Sequence, residues 1–110
     1  MAISWQSVIM QLADTDTLLY TCPANTTARV NKATACNDTT SAETFDINKV
    51  PSGDSVDPAN LVENDKAIAS KDTVQLLGLI GTMLEAGDKI YGVAGTADQI
   101  TIDLGIVESV

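Results

Sequence analysis

From Gln99 to Val107 the sequence alternates without a break, with Ile100, Ile102, Leu104 and Ile106 in one phase and Thr101, Asp103 and Gly105 in the other. Successive side chains of a strand point to opposite faces, so this alternation predicts a half-buried β-strand. The rest of the chain leans the same way, with nine Val, nine Ile and thirteen Thr. These β-branched residues are stiff at χ1 and suit a pleated sheet better than a helix.

Shorter strands are read around the same pattern. Leu18, Tyr20 and Cys22 alternate with Thr17, Leu19 and Thr21; Thr27 to Cys36 is extended and rich in Ala and Thr; Phe45 and Ile47 alternate with Thr44, Asp46 and Asn48. Val74, Leu76 and Gly78 continue into Leu79 and Ile80, and Lys89 to Val93 makes another short strand. Breakers separate them: Cys22-Pro23-Ala24-Asn25, Asn37-Asp38, Pro51-Ser52-Gly53-Asp54, Asp57-Pro58, Ala86-Gly87-Asp88 and Gly95-Thr96-Ala97-Asp98. Only Asp65 to Asp72 offers a helical turn, around Lys66-Ala67-Ile68-Ala69.

The expected fold is therefore all-β: an antiparallel β-sandwich, jelly-roll or immunoglobulin-like, with about seven or eight short strands. Its core is drawn from Leu18, Val30, Phe45, Leu76, Ile90, Ile100, Ile102, Leu104 and Ile106. The 110 residues suffice for one modest core and not for two.

The N-terminus departs from simple alternation. Ile3 and Trp5 are odd-numbered, whereas Val8, Met10 and Leu12 are even. A one-residue slip reverses the faces, which predicts a bulge or a change of partner near Gln6 and Ser7. Residues 1–12 are read as an N-terminal strand or arm and residues 13–110 as a single sandwich domain. If the segment is an arm, Ile3, Trp5, Val8, Met10 and Leu12 form its partner interface. The polar middle stretch from Pro51 to Asn64 is a second candidate contact.

Composition bears on function by exclusion. Fifteen acidic against six basic residues give a formal net charge of −9, which disfavours direct nucleic-acid binding. Zero histidine removes the usual general base and the commonest metal ligand. There is no Gly-x-Ser-x-Gly elbow, no phosphate loop and no dinucleotide fingerprint; Gly92 to Gly95 is an isolated Gly-x-x-Gly in a strand. Ser70 and Lys71 are adjacent, so on a strand they point apart. Two cysteines without histidine do not make a zinc site. Asp14-Thr15-Asp16 and Asp54-Ser55-Val56-Asp57 offer carboxylates, but neither matches a calcium loop. Four aromatic residues are a poor supply of sugar platforms. The chain is expected to be non-enzymatic, with no catalytic residue, cofactor or metal.

No basic, apolar leader opens the sequence, and the longest apolar stretch, Leu76 to Leu84, is well short of the roughly 18 residues that span a bilayer. Synthesis in a cytoplasm without membrane association is expected. Cys22 and Cys36 are then read as buried, reduced core residues, with pairing as the alternative. On that route, the glycosylation patterns at Asn25-Thr26-Thr27 and Asn37-Asp38-Thr39 are coincidental.

The stretch Leu18-Leu19-Tyr20-Thr21-Cys22-Pro23-Ala24-Asn25-Thr26-Thr27-Ala28-Arg29-Val30 resembles the L-Y-x-x-P-A-N-T-T-A opening of small structural proteins of tailed-bacteriophage virions. Ala35-Cys36-Asn37-Asp38-Thr39-Thr40 resembles the strand and Asn-containing turn that follow, and Leu84 to Ile90 the late L-x-A-G-D-x-I stretch. The resemblance covers roughly residues 17 to 107. It implies a β-sandwich of the capsid decoration, or cement, type, bound to the major capsid protein and to itself as a homo-oligomer, with a trimer as the first guess. A small tail, collar or fibre component with a host-receptor or glycan-binding role is the alternative. By halves, residues 1–55 carry net −3 (six acids, three bases) and residues 56–110 net −6 (nine acids, three bases). The expectation is that the second half faces outward from the shell.

Overall fold

A computed structural model describes residues 2–110. Among these residues there are nine strands: β1 (Ile3–Gln11), β2 (Thr17–Thr21), β3 (Thr27–Asn37), β4 (Glu43–Val50), β5 (Leu61–Ile68), β6 (Thr73–Gln75), β7 (Met83–Leu84), β8 (Lys89–Ala94) and β9 (Ile100–Ser109). A single 3₁₀ turn, Pro58–Asn60, precedes β5. The expected β-sandwich is what forms. One sheet has the order β1-β9-β3-β6, with β7 also on β3, and the other β2-β8-β4-β5; every pairing is antiparallel.

The pairing order identifies the topology. β1 pairs with β9, β2 with β8, β3 with β6 and β7, and β4 with β5. The chain is thus one long hairpin rolled into two sheets, which is the jelly roll rather than the immunoglobulin arrangement.

β9 realises its pattern in full, with Ile100, Ile102, Leu104 and Ile106 completely buried between the sheets. Val30, Phe45, Leu76 and Ile90 join them. Leu18 does not: it is 44% exposed, and Leu19 takes the inner position. The β2–β8 register shifts between Leu18 and Tyr20, so a bulge reverses the phase that simple alternation assigns. A second shift, between Val30 and Lys32 in β3, lets Ala28 and Val30 face inward before it and Ala33 and Ala35 after it.

Other local expectations are also corrected. β1 pairs with β9 in unbroken register from Ile3↔Ser109 to Gln11↔Thr101, so no bulge occurs at Gln6 or Ser7. Its mixed apolar phase arises because both faces of the strand carry apolar residues. Asp65 to Asp72 holds no helical turn; β5 runs through it to Ile68, and Ser70 and Lys71 lie in the turn beyond. The middle stretch is not loop throughout, since β5 begins at Leu61. The strand expected from Val74 to Ile80 ends at Gln75, and turns follow.

Close packing at the centre depends on one glycine. A Cβ on Gly92 would come within 2.6 Å of the Leu12 side chain and 3.2 Å of Ile47. Leu12 lies just past β1 and is fully buried.

Candidate interaction surface

β1 is an edge strand with an unusual surface. Residues 2–13 contain no charged side chain, in a chain where charged residues make up 19%. On the outer face, Trp5 is 71% exposed, Ile9 70% and Ile3 61%. The inner face of β1 is also open: Ser4, Gln6 and Met10 are exposed, and only Val8 packs partly on the core. A long edge strand presents a row of free backbone donors and acceptors, and soluble proteins normally blunt such edges with charge, bulges or brevity. The other edges here are shorter, bulged or charged. β2 has five residues and a bulge between Leu18 and Tyr20, β5 carries Glu63, Asp65 and Lys66 and has an irregular register, and β6 has three residues and β7 two.

The exposed apolar residues continue across the sheet. The register sets Trp5 opposite Val107, Val107 opposite Arg29 and Arg29 opposite Met83, a row across four strands. This row contains the only Trp and the only Arg of the chain. With Thr27, Asn31 and Ser109 it lines a shallow groove of about 290 Å³. Arg29 makes no ion pair among the described residues; the neighbouring Lys32 is bound to Asp103 at 2.9 Å.

The structure sorts the five anticipated interface residues. Ile3, Trp5 and Met10 are exposed, Val8 is half-buried, and Leu12 belongs to the core rather than to a surface. Ile9, Arg29 and Met83 were not anticipated. The charge-free N-terminal stretch could have pointed to Ile9; Arg29 and Met83 join only through strand register. Of the expected strand or arm, Met1 lies outside the described residues, and Ile3–Gln11 forms a strand paired throughout with β9 at one edge of the sandwich.

The two thiols differ. Cys22 is buried as expected, 3.4 Å from the Thr26 carbonyl, whereas Cys36 projects from the outer face of β3 and is exposed, because its neighbours Ala35 and Asn37 take the inner phase. Both are free. Beside Cys22, the Tyr20 hydroxyl donates to the buried Glu108 carboxylate, which also accepts from Ser4 Oγ of β1 at 3.4 Å. Burial, reinforced by the bond to Glu108, pushes the Tyr20 phenol far above its ordinary range. Burial and the same carboxylate push the Cys22 thiol upward. A raised thiol is a poor nucleophile at neutral pH.

The opposite face of the sandwich carries a different surface. Asp46 and Val93 are cross-strand neighbours on the outer side of the second sheet. With Val56, Pro58, Leu61, Asp16 and Asp57 they line a depression of about 180 Å³. The loop beside it is held in place. Asn48 Nδ2 donates to the Asp57 carbonyl at 3.0 Å and to Asn60 Oδ1 at 2.7 Å, and Asp57 caps the 3₁₀ turn through Ala59 N at 2.8 Å.

Charge does not divide between chain halves in space. β1 lies on β9 and β2 on β8, so each sheet mixes both halves, and the expected outward-facing second half has no counterpart in the fold. Among the described residues no group of three or more His, Cys, Asp or Glu is placed to hold a metal ion, and no helix is long and apolar enough to cross a membrane.

No family model and no curated protein matches the chain. Among solved structures it is similar to a chain described under "Bacillus endospore appendages form a novel family of disulfide-linked pili". The two are 13% identical, with a TM-score of 0.57, and the alignment covers 97% of this chain and 84% of that one. At that identity the likeness is one of fold.

Proposed function

We propose that the protein is a non-enzymatic structural subunit that works in many copies, joined to its neighbours through the β1 side of the sandwich. The observation that carries this reading is β1 itself, a nine-residue uncharged edge with exposed Ile3, Trp5 and Ile9 in a chain of net charge −9. Like-charged molecules repel as they approach, so a surface without charge is where copies of an acidic subunit meet at least cost. A small jelly roll that exposes an apolar strand on two faces is suited to burial in an assembly.

The setting we propose is the outer surface of a tailed-phage capsid, reached after synthesis in the host cytoplasm, with the major capsid protein as partner. The motif resemblance supports this setting, and an acidic exterior suits a shell surface away from packaged DNA. A tail, collar or fibre position with a receptor- or glycan-binding role is the variant of the same proposal. A second setting, a filamentous appendage, is favoured by the fold likeness to a pilus chain. Cys36, exposed on the same sheet face, would be the available thiol if such copies were disulfide-linked.

Gold labelling of cells that make the protein, with an antibody to the native chain, tests the proposal. Dense, regular labelling of capsids supports decoration, sparse labelling at one vertex or tail supports the variant, and labelling along filaments supports the second setting. Label dispersed through the soluble fraction, on no particle or fibre, would overturn the structural role.

A further inference from the structure

We infer that the Trp5–Val107–Arg29–Met83 row docks onto the acid-rimmed depression around Val93 on the opposite face of a second copy, so that copies stack head to tail. The inference rests on the reading of the protein as a self-associating subunit and names the two faces that meet.

Three observations carry it. The row has the composition that dominates binding energy at protein contacts, with an exposed Trp, an exposed Met and an Arg that makes no ion pair among the described residues. The depression has the complementary composition: Val56, Pro58, Leu61 and Val93 supply apolar walls, and Asp16, Asp46 and Asp57 supply the rim. Two of those carboxylates are already held by backbone donors, Asp46 by Asp65 N at 2.6 Å and Asp57 by Ala59 N at 2.8 Å, so little ordering remains for binding. Asp16 is exposed and has no side-chain hydrogen bond among the described residues.

Geometry sets the mode of association. The two surfaces lie on the outer faces of different sheets, so no copy can satisfy its own pair. A contact between unlike faces is heterologous, and its repetition extends a stack rather than closing a dimer. From the strand spacing and rise, the patch is about 14 Å across the strands and about 20 Å along them. That footprint is smaller than the roughly 800 Å² per partner of a stable complex. One contact is therefore weak, and the stack grows only at high subunit concentration.

The test uses two full-length variants, one with the row disabled (Trp5→Ala with Arg29→Glu) and one with the depression disabled (Asp16→Lys with Val93→Lys). Sedimentation velocity up to roughly 1 mM, the weak end of specific binding, should show wild-type species growing beyond dimers. Each variant alone should associate about thirty-fold more weakly, as expected for loss of a hot spot. An equimolar mixture should form a 1:1 dimer and nothing longer, since one working face remains on each partner. A monomeric wild type, variants that associate like the wild type, or a mixture that stays monomeric would overturn the inference, as would assembly lost in the first variant and unchanged in the second. Circular dichroism and thermal unfolding confirm that both variants fold. If either fails to fold, the charge-only pair Arg29→Gln and Asp16→Asn replaces it under the same criteria. Antibody labelling of particles or fibres stands apart from these results, so the structural role can survive the loss of this particular contact.

Discussion

At the scale of single residues, two apolar side chains seven positions apart, Trp5 within β1 and Leu12 just past its end, have opposite fates. Trp5 is open to solvent, whereas Leu12 is sealed against Gly92 between the sheets. Leu12→Ala should cost about 2–5 kcal/mol, the usual range for a buried leucine truncated to alanine. Trp5→Ala should leave stability within about 0.5 kcal/mol, as surface changes do. Urea unfolding of the two variants checks the contrast, and equal losses would mean that Trp5 is packed. Tyr20 gives a second residue-level expectation. Its phenol and the Cys22 thiol are both raised by burial and by Glu108, so the folded state holds these protons to higher pH than the unfolded chain does. Their stabilising contribution is complete below the ordinary values of 9.0 for the thiol and 10.0 for the phenol, and it is lost as pH rises through the folded values. Denaturation midpoints should fall between pH 8 and pH 11, and Tyr20→Phe should flatten that fall. A midpoint that stays level to pH 11 would show that neither proton is held.

Among the elements, β9 and β1 mark the extremes of legibility. β9 lies between β1 and β3, so its inner side chains are covered by the second sheet and its outer ones stand half-exposed; alternation in the sequence becomes alternation in burial. Ile102→Asp places a carboxylate in that interior, where desolvation costs several kcal/mol, and the chain should not fold. A cooperative thermal transition in that variant, like that of the wild type, would show that the face is assigned wrongly. β1 lies at the edge and beyond the cover of the second sheet, so its apolar residues need not choose a side. That is why its sequence suggests a bulge where the register is unbroken. β5 was hidden for a related reason. Its exposed run Asn64 to Ala67 carries no period-two signal, and its pairing with β4 is irregular.

For the whole molecule, the rolled hairpin decides where charge and apolar surface go. Residues distant in sequence become cross-strand neighbours, as Trp5, Val107, Arg29 and Met83 do, while the two halves of the chain interleave in both sheets. The result is one outer face with exposed apolar residues and an unpaired guanidinium, and another with a carboxylate-rimmed depression. The head-to-tail stacking inferred above is a property of this arrangement rather than of any segment.

The sequence by itself determined the all-β class, the buried face of β9 and the inward Phe45 and Ile47, because period-two patterning and β-branched composition act locally, through the pleat. Tertiary structure alone decided the jelly-roll winding, the phase of β2 and β3 past their bulges, the burial of Leu12 and the meeting of Trp5 with Arg29. Each of these depends on which strands pair and in what register. A one-residue slip there reverses a face without changing a letter of the sequence.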